Sequence, residues 1–225
     1  MNERLISIAG GGCIELQDVL GDDLTVVNAA RVSFSKQKSE LDSSDIRLIK
    51  YLAKHNHYTP FAQPHLRFRI RMPIFVARQW YKHSVGLTRN EVSRRYVTSE
   101  PEFYLPQYLR MSAENVKQGS SDEEHTFSGV LLNLMRQSYR ESLRTYHMLL
   151  EDNVCAEQAR MILPQAMFTE FIETGSLAAY ARIYSLRTEK TAQQEIRDYA
   201  IALGQLVEKS FPHSWSALVE EGVNT

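Results

Sequence analysis

The sequence predicts an α+β fold, on three observations. Leu66, Phe68, Ile70 and Met72 alternate with Arg67, Arg69 and Arg71 at the period of a half-buried strand. A long stretch, about Phe127 to Leu150, instead carries Leu131, Leu134, Met135, Leu143, Tyr146 and Leu150 at helical spacing. Strand and helix patterns are mixed along the 225 residues, with no linker between them, so residues 1–225 read as one domain.

In chain order, Leu5–Ile8 and Cys13–Leu16 read as short strands around a turn at Gly10-Gly11-Gly12. That triplet lacks the spacing of a dinucleotide-binding loop. Asp22 to Val32 has helical spacing through Leu24, Val27 and Arg31, and reaches Ser33 near its end. Asp42-Ser43-Ser44 suits the start of a helix with Ile46, Ile49, Leu52 and Ala53 on one face, ending by His55-Asn56-His57. After the arginine-bearing strand, Pro73 fits the first turn of a helix that carries Arg78 and Gln79.

Gln118 to Glu124 is polar and reads as a surface loop before the long helix. Ala156 to Leu163 is a shorter helix stopped by Pro164. Met167 to Glu173 reads as a strand closed at Gly175, and two helices, Ser176–Leu186 and Thr191 to about Ser210, complete the chain.

Composition excludes several classes. Twenty-six basic residues face 27 acidic ones, so net charge gives no reason to expect a general polyanion binder. No apolar run approaches the roughly 20 residues a membrane span needs. The N-terminal Met-Asn-Glu-Arg lacks a signal-peptide pattern, so a cytoplasmic protein is expected. The two cysteines, Cys13 and Cys155, have no metal-ligand spacing and read as small packing residues; no metal is expected.

The segment Arg78 to Tyr96 stands apart. Five cations (Arg78, Lys82, Arg89, Arg94 and Arg95) surround one carboxylate, Glu91, with Gln79, His83, Ser84, Asn90 and Ser93 interleaved. So many directed donors read as an anion-binding loop on a buried helix, with a phosphorylated small molecule as ligand. Arg160 lies among apolar neighbours and needs an anion, either a ligand or a local glutamate such as Glu157. Arg182 and Arg187 lie on one helix, but five residues apart they do not share a stripe. The Arg67-Arg69-Arg71 face is either a solvated surface or a docking surface.

These segments resemble the flavin-dependent thymidylate synthases. The resemblance rests on Arg78-Gln79-Trp80, His83, Asn90-Glu91, Ser93 and Arg95-Tyr96. It extends to Ala29–Ser33, His55–Phe61, Ala159–Pro164, and Leu186-Arg187 followed by Ala192–Ile196, in family order. The resemblance implies a small, mostly antiparallel sheet flanked by long helices. It also implies C5-methylation of dUMP to dTMP, with 5,10-methylenetetrahydrofolate as carbon donor, FAD as hydride donor and NADPH as reductant.

By position, the resemblance gives dUMP to Gln79, Lys82, Glu91, Ser93, Arg94, Arg95, Arg160 and Arg187, with Arg187 acting on the uracil. It gives FAD to Ser33, His57, Thr59, Lys82, His83, Ser84, Asn90, Glu91, Ser176 and Arg182. A homotetramer with active sites between subunits is implied, with no nucleic acid and no membrane as partner. Lys82-His83-Ser84 stands where the family writes Arg-His-Arg, and Arg182 and Ser176 where many members have asparagine. Two other readings are a UMP C5-methylase with the same cofactors and a non-enzymatic nucleotide- or nucleic-acid-binding protein.

Overall fold

The computed structural model describes residues 3–97, 99–113 and 120–220. Leu5–Ile8 (β1) and Gly12–Leu20 (β2) form a hairpin around Gly10 and Gly11, whose positive φ angles of 85° and 103° suit glycine. His65–Pro73 (β3) lies beside β2, Phe168–Ser176 (β7) beside β3, and Leu87–Glu91 (β4) at the far edge. All four pairings are antiparallel, giving the order β1-β2-β3-β7-β4.

The β3 alternation sets the two faces of this sheet. Leu66, Phe68, Ile70 and Met72 are all at most 1 % exposed, and burying such side chains stabilises the fold by about 1.5–3 kcal/mol each. On the opposite face Arg67 pairs with Asp18 at 2.5 Å, Arg69 with Glu170 at 2.6 Å and Arg71 with Glu102 at 3.0 Å. Each guanidinium on this face therefore has a carboxylate partner within the chain. That supports the solvated-surface reading over the docking one.

The buried face is covered by helices. Asp23–Arg31 (α1) and Ser43–Lys54 (α2) are tied by Arg31 to Asp45 at 2.5 Å. Asp42 caps α2, accepting from the amides of Ser44 (2.7 Å) and Asp45 (3.1 Å), as the sequence indicates. Ile74–Trp80 (α3) follows β3 directly. Leu177–Arg187 (α6) and Gln194–Ser210 (α7) pack together, with α7 against β1 and β2. A further helix, Pro212–Glu220 (α8), packs on α2, α6 and α7.

Several expectations need correction. The segment after α3 is not all loop: Leu87–Glu91 is strand β4, because its backbone completes the hydrogen bonding of β7. Ser120–Glu124 is a strand (β6) paired with Arg110–Ser112 (β5), not a loop; Gln118 and Gly119 lie outside the described residues. Ser128–Glu151 (α4) has the expected length, yet Leu134 is 55 % exposed and Leu132 is buried in its place. The short helix Ala156–Ala159 (α5) tightens to a 3-10 turn over Arg160–Ile162. Helix α8 was not expected. Its first turn is capped from far away, by Asp23 accepting from the amides of His213 (2.9 Å) and Ser214 (2.8 Å).

Candidate functional site

The site starts at the junction of β7 and α6. Ser176 ends β7 and caps α6, its Oγ accepting from the Ala179 amide at 3.2 Å. The Ser176 amide in turn donates to the Gly86 carbonyl at 3.1 Å, so the turn between α3 and β4 is pinned against the start of α6. Gly86 takes a φ of 76° there, and a Cβ on it would crowd Ser176 Oγ at 3.1 Å. The other end of α6 carries Arg187 back to the same turn.

Arg187 Nε donates to His83 Nε2 at 2.9 Å, and its Nη2 donates to the Gln79 carbonyl at 3.3 Å. The Gln79 side-chain amide donates to Gln193 Oε1 at 2.5 Å, just ahead of α7. Arg182, five residues before Arg187 on α6, donates to the Val85 carbonyl at 2.7 Å. Arg187 and Arg182 thus grip one turn although they occupy different stripes of the helix.

Burial, followed by the cations of Arg187, Arg89 and Arg182, pulls the His83 imidazole from its ordinary 6.5 to about 4. His83 is therefore neutral at pH 7, and its Nε2 must be the unprotonated, accepting nitrogen. Burial also lowers the guanidinium pKa of Arg187.

The remaining residues fall into three groups. Arg95 bonds Ser93 Oγ and reaches Glu157 at 3.4 Å, which brings the 93–95 segment to α5, one turn ahead of Arg160. The expected local pair between Arg160 and Glu157 is not made. Arg160 is exposed rather than enclosed by its apolar neighbours, so it needs no buried anion. Glu91 accepts from Thr169 Oγ1 at 2.5 Å across the β4–β7 edge.

Arg94 donates to the Ser99 carbonyl and lines a cavity of about 250 Å³ with Arg71, Thr169 and Glu170. Thr59 opens a 3-10 turn packed between α1 and α6 and lines a larger cavity, about 670 Å³, with Asn28, Val32 and Ser35. Ser33 is exposed beside that cavity wall, in the 3-10 turn Val32–Phe34. His57 is exposed after α2, its ring centroid 6.2 Å from that of Tyr51.

Among the described residues, the side chains of Arg78, Lys82, Ser84, Asn90 and Arg160 make no hydrogen bond or ion pair, and all are exposed. Neither thiol joins the Arg187 cluster. Cys13 is half-buried on β2, with its pKa raised by burial, and β3 and β7 separate it from β4. Cys155, expected to pack inside, is exposed at the N-cap of α5.

A family model described as thymidylate synthase complementing protein (Thy1) matches residues 15–213. The chain belongs to this family. A flavin-dependent thymidylate synthase of Thermus thermophilus is 38 % identical over 219 residues, covering 96 % of this chain and 78 % of the relative. One from Thermosipho melanesiensis is 36 % identical, covering 93 % and 91 % respectively. A crystal structure of the UMP/dUMP methylase PolB from Streptomyces cacaoi, bound with 5-Br dUMP, superposes with a TM-score of 0.86 at 27 % identity. That superposition covers 96 % of this chain and 98 % of PolB.

As a Thy1 protein the chain is an enzyme of the flavin-dependent thymidylate synthase type, a methyltransferase. Its available donors suit a flavin nucleotide chemically: the Lys82 ammonium and Arg182 guanidinium for phosphate, and Ser84, Asn90 and the spare Ser176 hydroxyl proton for ring carbonyls.

Arg89, expected among the cations of the anion-binding loop, is instead taken up by the buried Glu173 and the His83 carbonyl, and the sequence pattern gives no individual role to Glu173, Gln193 or Glu195. Glu173 was visible as a lone acid at an inward position of a strand pattern, which is an anomaly. Glu195 binds Arg110 through both carboxylate oxygens at 3.0 Å, a pairing between β5 and α7 with no local signal.

Proposed function

We propose that this enzyme methylates dUMP at C5 to give dTMP, with 5,10-methylenetetrahydrofolate as carbon donor and NADPH as the source of electrons for FAD. The observation that carries the reading is the Arg187–His83–Gln79 cluster, flanked in sequence by the unpartnered cations Arg78 and Lys82. Family membership and the nucleotide-bound PolB neighbour give that arrangement its substrate class.

FAD, held by Ser33, His57, Thr59, Lys82, His83, Ser84, Asn90, Glu91, Ser176 and Arg182, supplies the hydride when bound. Arg95 and Arg160 hold the phosphate of dUMP, and Gln79, Lys82, Glu91, Ser93 and Arg94 orient the rest. Arg187 faces the uracil and stabilises the negative charge that develops on the ring, an effect worth roughly 3 kcal/mol in a dry site. Ring polarisation replaces thiol addition, consistent with Cys13 being half-buried away from the cluster and its thiolate disfavoured.

The assembly in this reading is a cytoplasmic homotetramer whose subunits jointly form each site, with no nucleic acid partner. Its support is the apolar surface left open on one chain: Phe34 is 76 % exposed, Tyr96 75 % and Met161 79 %, each beside a proposed ligand residue. The paired arginines of β3 count against a nucleic-acid surface. No helix of the described residues is long and apolar enough to cross a membrane.

A UMP-methylating reading has one specific observation in its favour. PolB also superposes in a crystal form bound with 5-Br UMP, with a TM-score of 0.84. Parallel assays decide between the two. The purified protein should be yellow and, with NADPH and methylenetetrahydrofolate, form dTMP from dUMP much faster than the methylated ribonucleotide from UMP. A colourless protein, or preferred turnover of UMP, overturns the dUMP assignment.

A further inference from the structure

Glu173 is fully buried on β7, at a position where the strand faces the apolar core beside Phe68. A carboxylate there is costly unless its charge and lone pairs are met. Two groups meet them. Trp80 Nε1, itself fully buried on α3, donates to Oε1 at 3.1 Å, and Arg89 Nε donates to Oε2. Arg89 lies directly opposite Glu173 in the β4–β7 register, with its side chain only 15 % exposed.

The planar fork of Arg89 has a second arm. Its Nη2 donates to the backbone carbonyl of His83, and its Cζ lies 5.2 Å from the centre of the Tyr81 ring. One guanidinium thus ties β4, β7 and the 81–84 turn together, and the buried carboxylate holds it in place. On the far side of the same turn, the His83 imidazole receives Arg187.

We propose that Arg89, anchored by Glu173, is a positioning residue for the reaction. It fixes the His83 backbone so that the imidazole presents Nε2 as an acceptor and thereby sets the direction of the Arg187 guanidinium. The catalytic consequence rests on the reading of Arg187 as the residue facing the uracil; the effect on His83 does not. A lysine could satisfy the charge of Glu173, but an ammonium lacks the rigid fork that serves two acceptors in fixed directions.

The structure requires His83 to carry its proton on Nδ1, the minor tautomer of a free imidazole, since Nε2 accepts from Arg187. Nitrogen-15 NMR of the imidazole at pH 7, assigned with His83→Gln, distinguishes the two tautomers. The full chain should show Nδ1–H. The neutral double variant Arg89→Gln/Glu173→Gln, and separately Arg89→Lys, should shift His83 toward Nε2–H. Both should also lower kcat about 10–100-fold with little change in dUMP affinity, the expected size for a misdirected reacting group.

Measurements are made well below each variant's melting temperature, so that lost stability alone leaves tautomer and kcat at wild-type values. If the double variant fails to fold, Arg89→Lys, which retains the buried charge pair, decides. An unchanged tautomer overturns the proposal. A changed tautomer with unchanged kcat overturns the step from His83 to Arg187. If the wild-type enzyme itself forms no dTMP, the functional reading fails, while the NMR comparison still tests Arg89.

Discussion

Arg187 Nε and His83 Nε2 meet at 2.9 Å across 104 residues of sequence. The contact joins the end of α6 to the turn before β4, and it is possible only while the imidazole is neutral. Burial and the nearby cations keep His83 neutral, and the one hydrogen bond then fixes the direction of Arg187 and the accepting role of Nε2.

Removing Arg187 should separate binding from chemistry. Arg187→Ala is expected to lose dTMP formation while keeping most of its dUMP affinity, because in the proposed function the phosphate is held by Arg95 and Arg160. Isothermal titration with dUMP and a tritium-release assay at C5 check the two halves. Normal turnover would remove Arg187 from the ring.

Arg160 should behave in the opposite way. It is exposed and has no partner among the described residues, so Arg160→Ala should leave stability unchanged. Loss of one charged hydrogen bond to phosphate should weaken dUMP binding about 10–100-fold. Equal affinity for the two proteins would place the phosphate somewhere else.

The imidazole also links stability to pH. His83 ordinarily titrates near 6.5 and is held at about 4 in the fold by burial and then by Arg187, Arg89 and Arg182. Between those values the unfolded chain binds a proton that the folded one does not, so stability falls as pH drops from 6.5 towards 4. Above 6.5 this contribution is fully present, and below 4 it changes no further. The melting temperature of His83→Gln should fall less steeply than wild type over that window; parallel slopes would show that another group is responsible.

Asp23 tests the distant cap of α8. It is 3 % exposed and receives both the His213 and Ser214 amides. Asp23→Ala should cost about 1–3 kcal/mol in urea unfolding, and Asp23→Asn, which keeps one acceptor, should cost less. Equal stability of all three proteins would mean that solvent caps the helix as well.

Gly12 tests the close approach of β2 and α7. A Cβ there would overlap the Tyr199 hydroxyl, which donates to the Arg71 carbonyl at 2.9 Å, and would also meet that carbonyl at 3.0 Å. Gly12→Ala should cost about 1–3 kcal/mol, since both neighbours are fixed. Thermal unfolding gives the answer, and an unchanged midpoint would show that Tyr199 can swing aside.

Regular periodicity made most of the fold legible. The β3 alternation, the Asp42 cap, the glycine turn and the long α4 pattern all appear where their residues indicate. Strands β4, β5 and β6 were not legible, because Leu-Thr-Arg-Asn-Glu and Ser-Ser-Asp-Glu-Glu carry little apolar alternation. Their conformation comes from backbone hydrogen bonds to a neighbouring strand, and side-chain pattern does not report those. The exposed face of α4 misled for a related reason: helical spacing shows that an apolar stripe exists, and nothing in it says what covers the stripe.

By itself, the sequence determined the α+β class, the concentration of cations between Arg78 and Arg95, and the separated segments that mark the family. Those properties are local, written in composition and spacing over a few residues. Only the tertiary structure decided which of the cations are free and which are spoken for. It gives Arg67, Arg69 and Arg71 to carboxylates, leaves Lys82 and Arg160 open, and sends Arg89 to Glu173, 84 residues away. A guanidinium's partner is set by strand register and by which face is dry, and both are fixed only when distant segments pair.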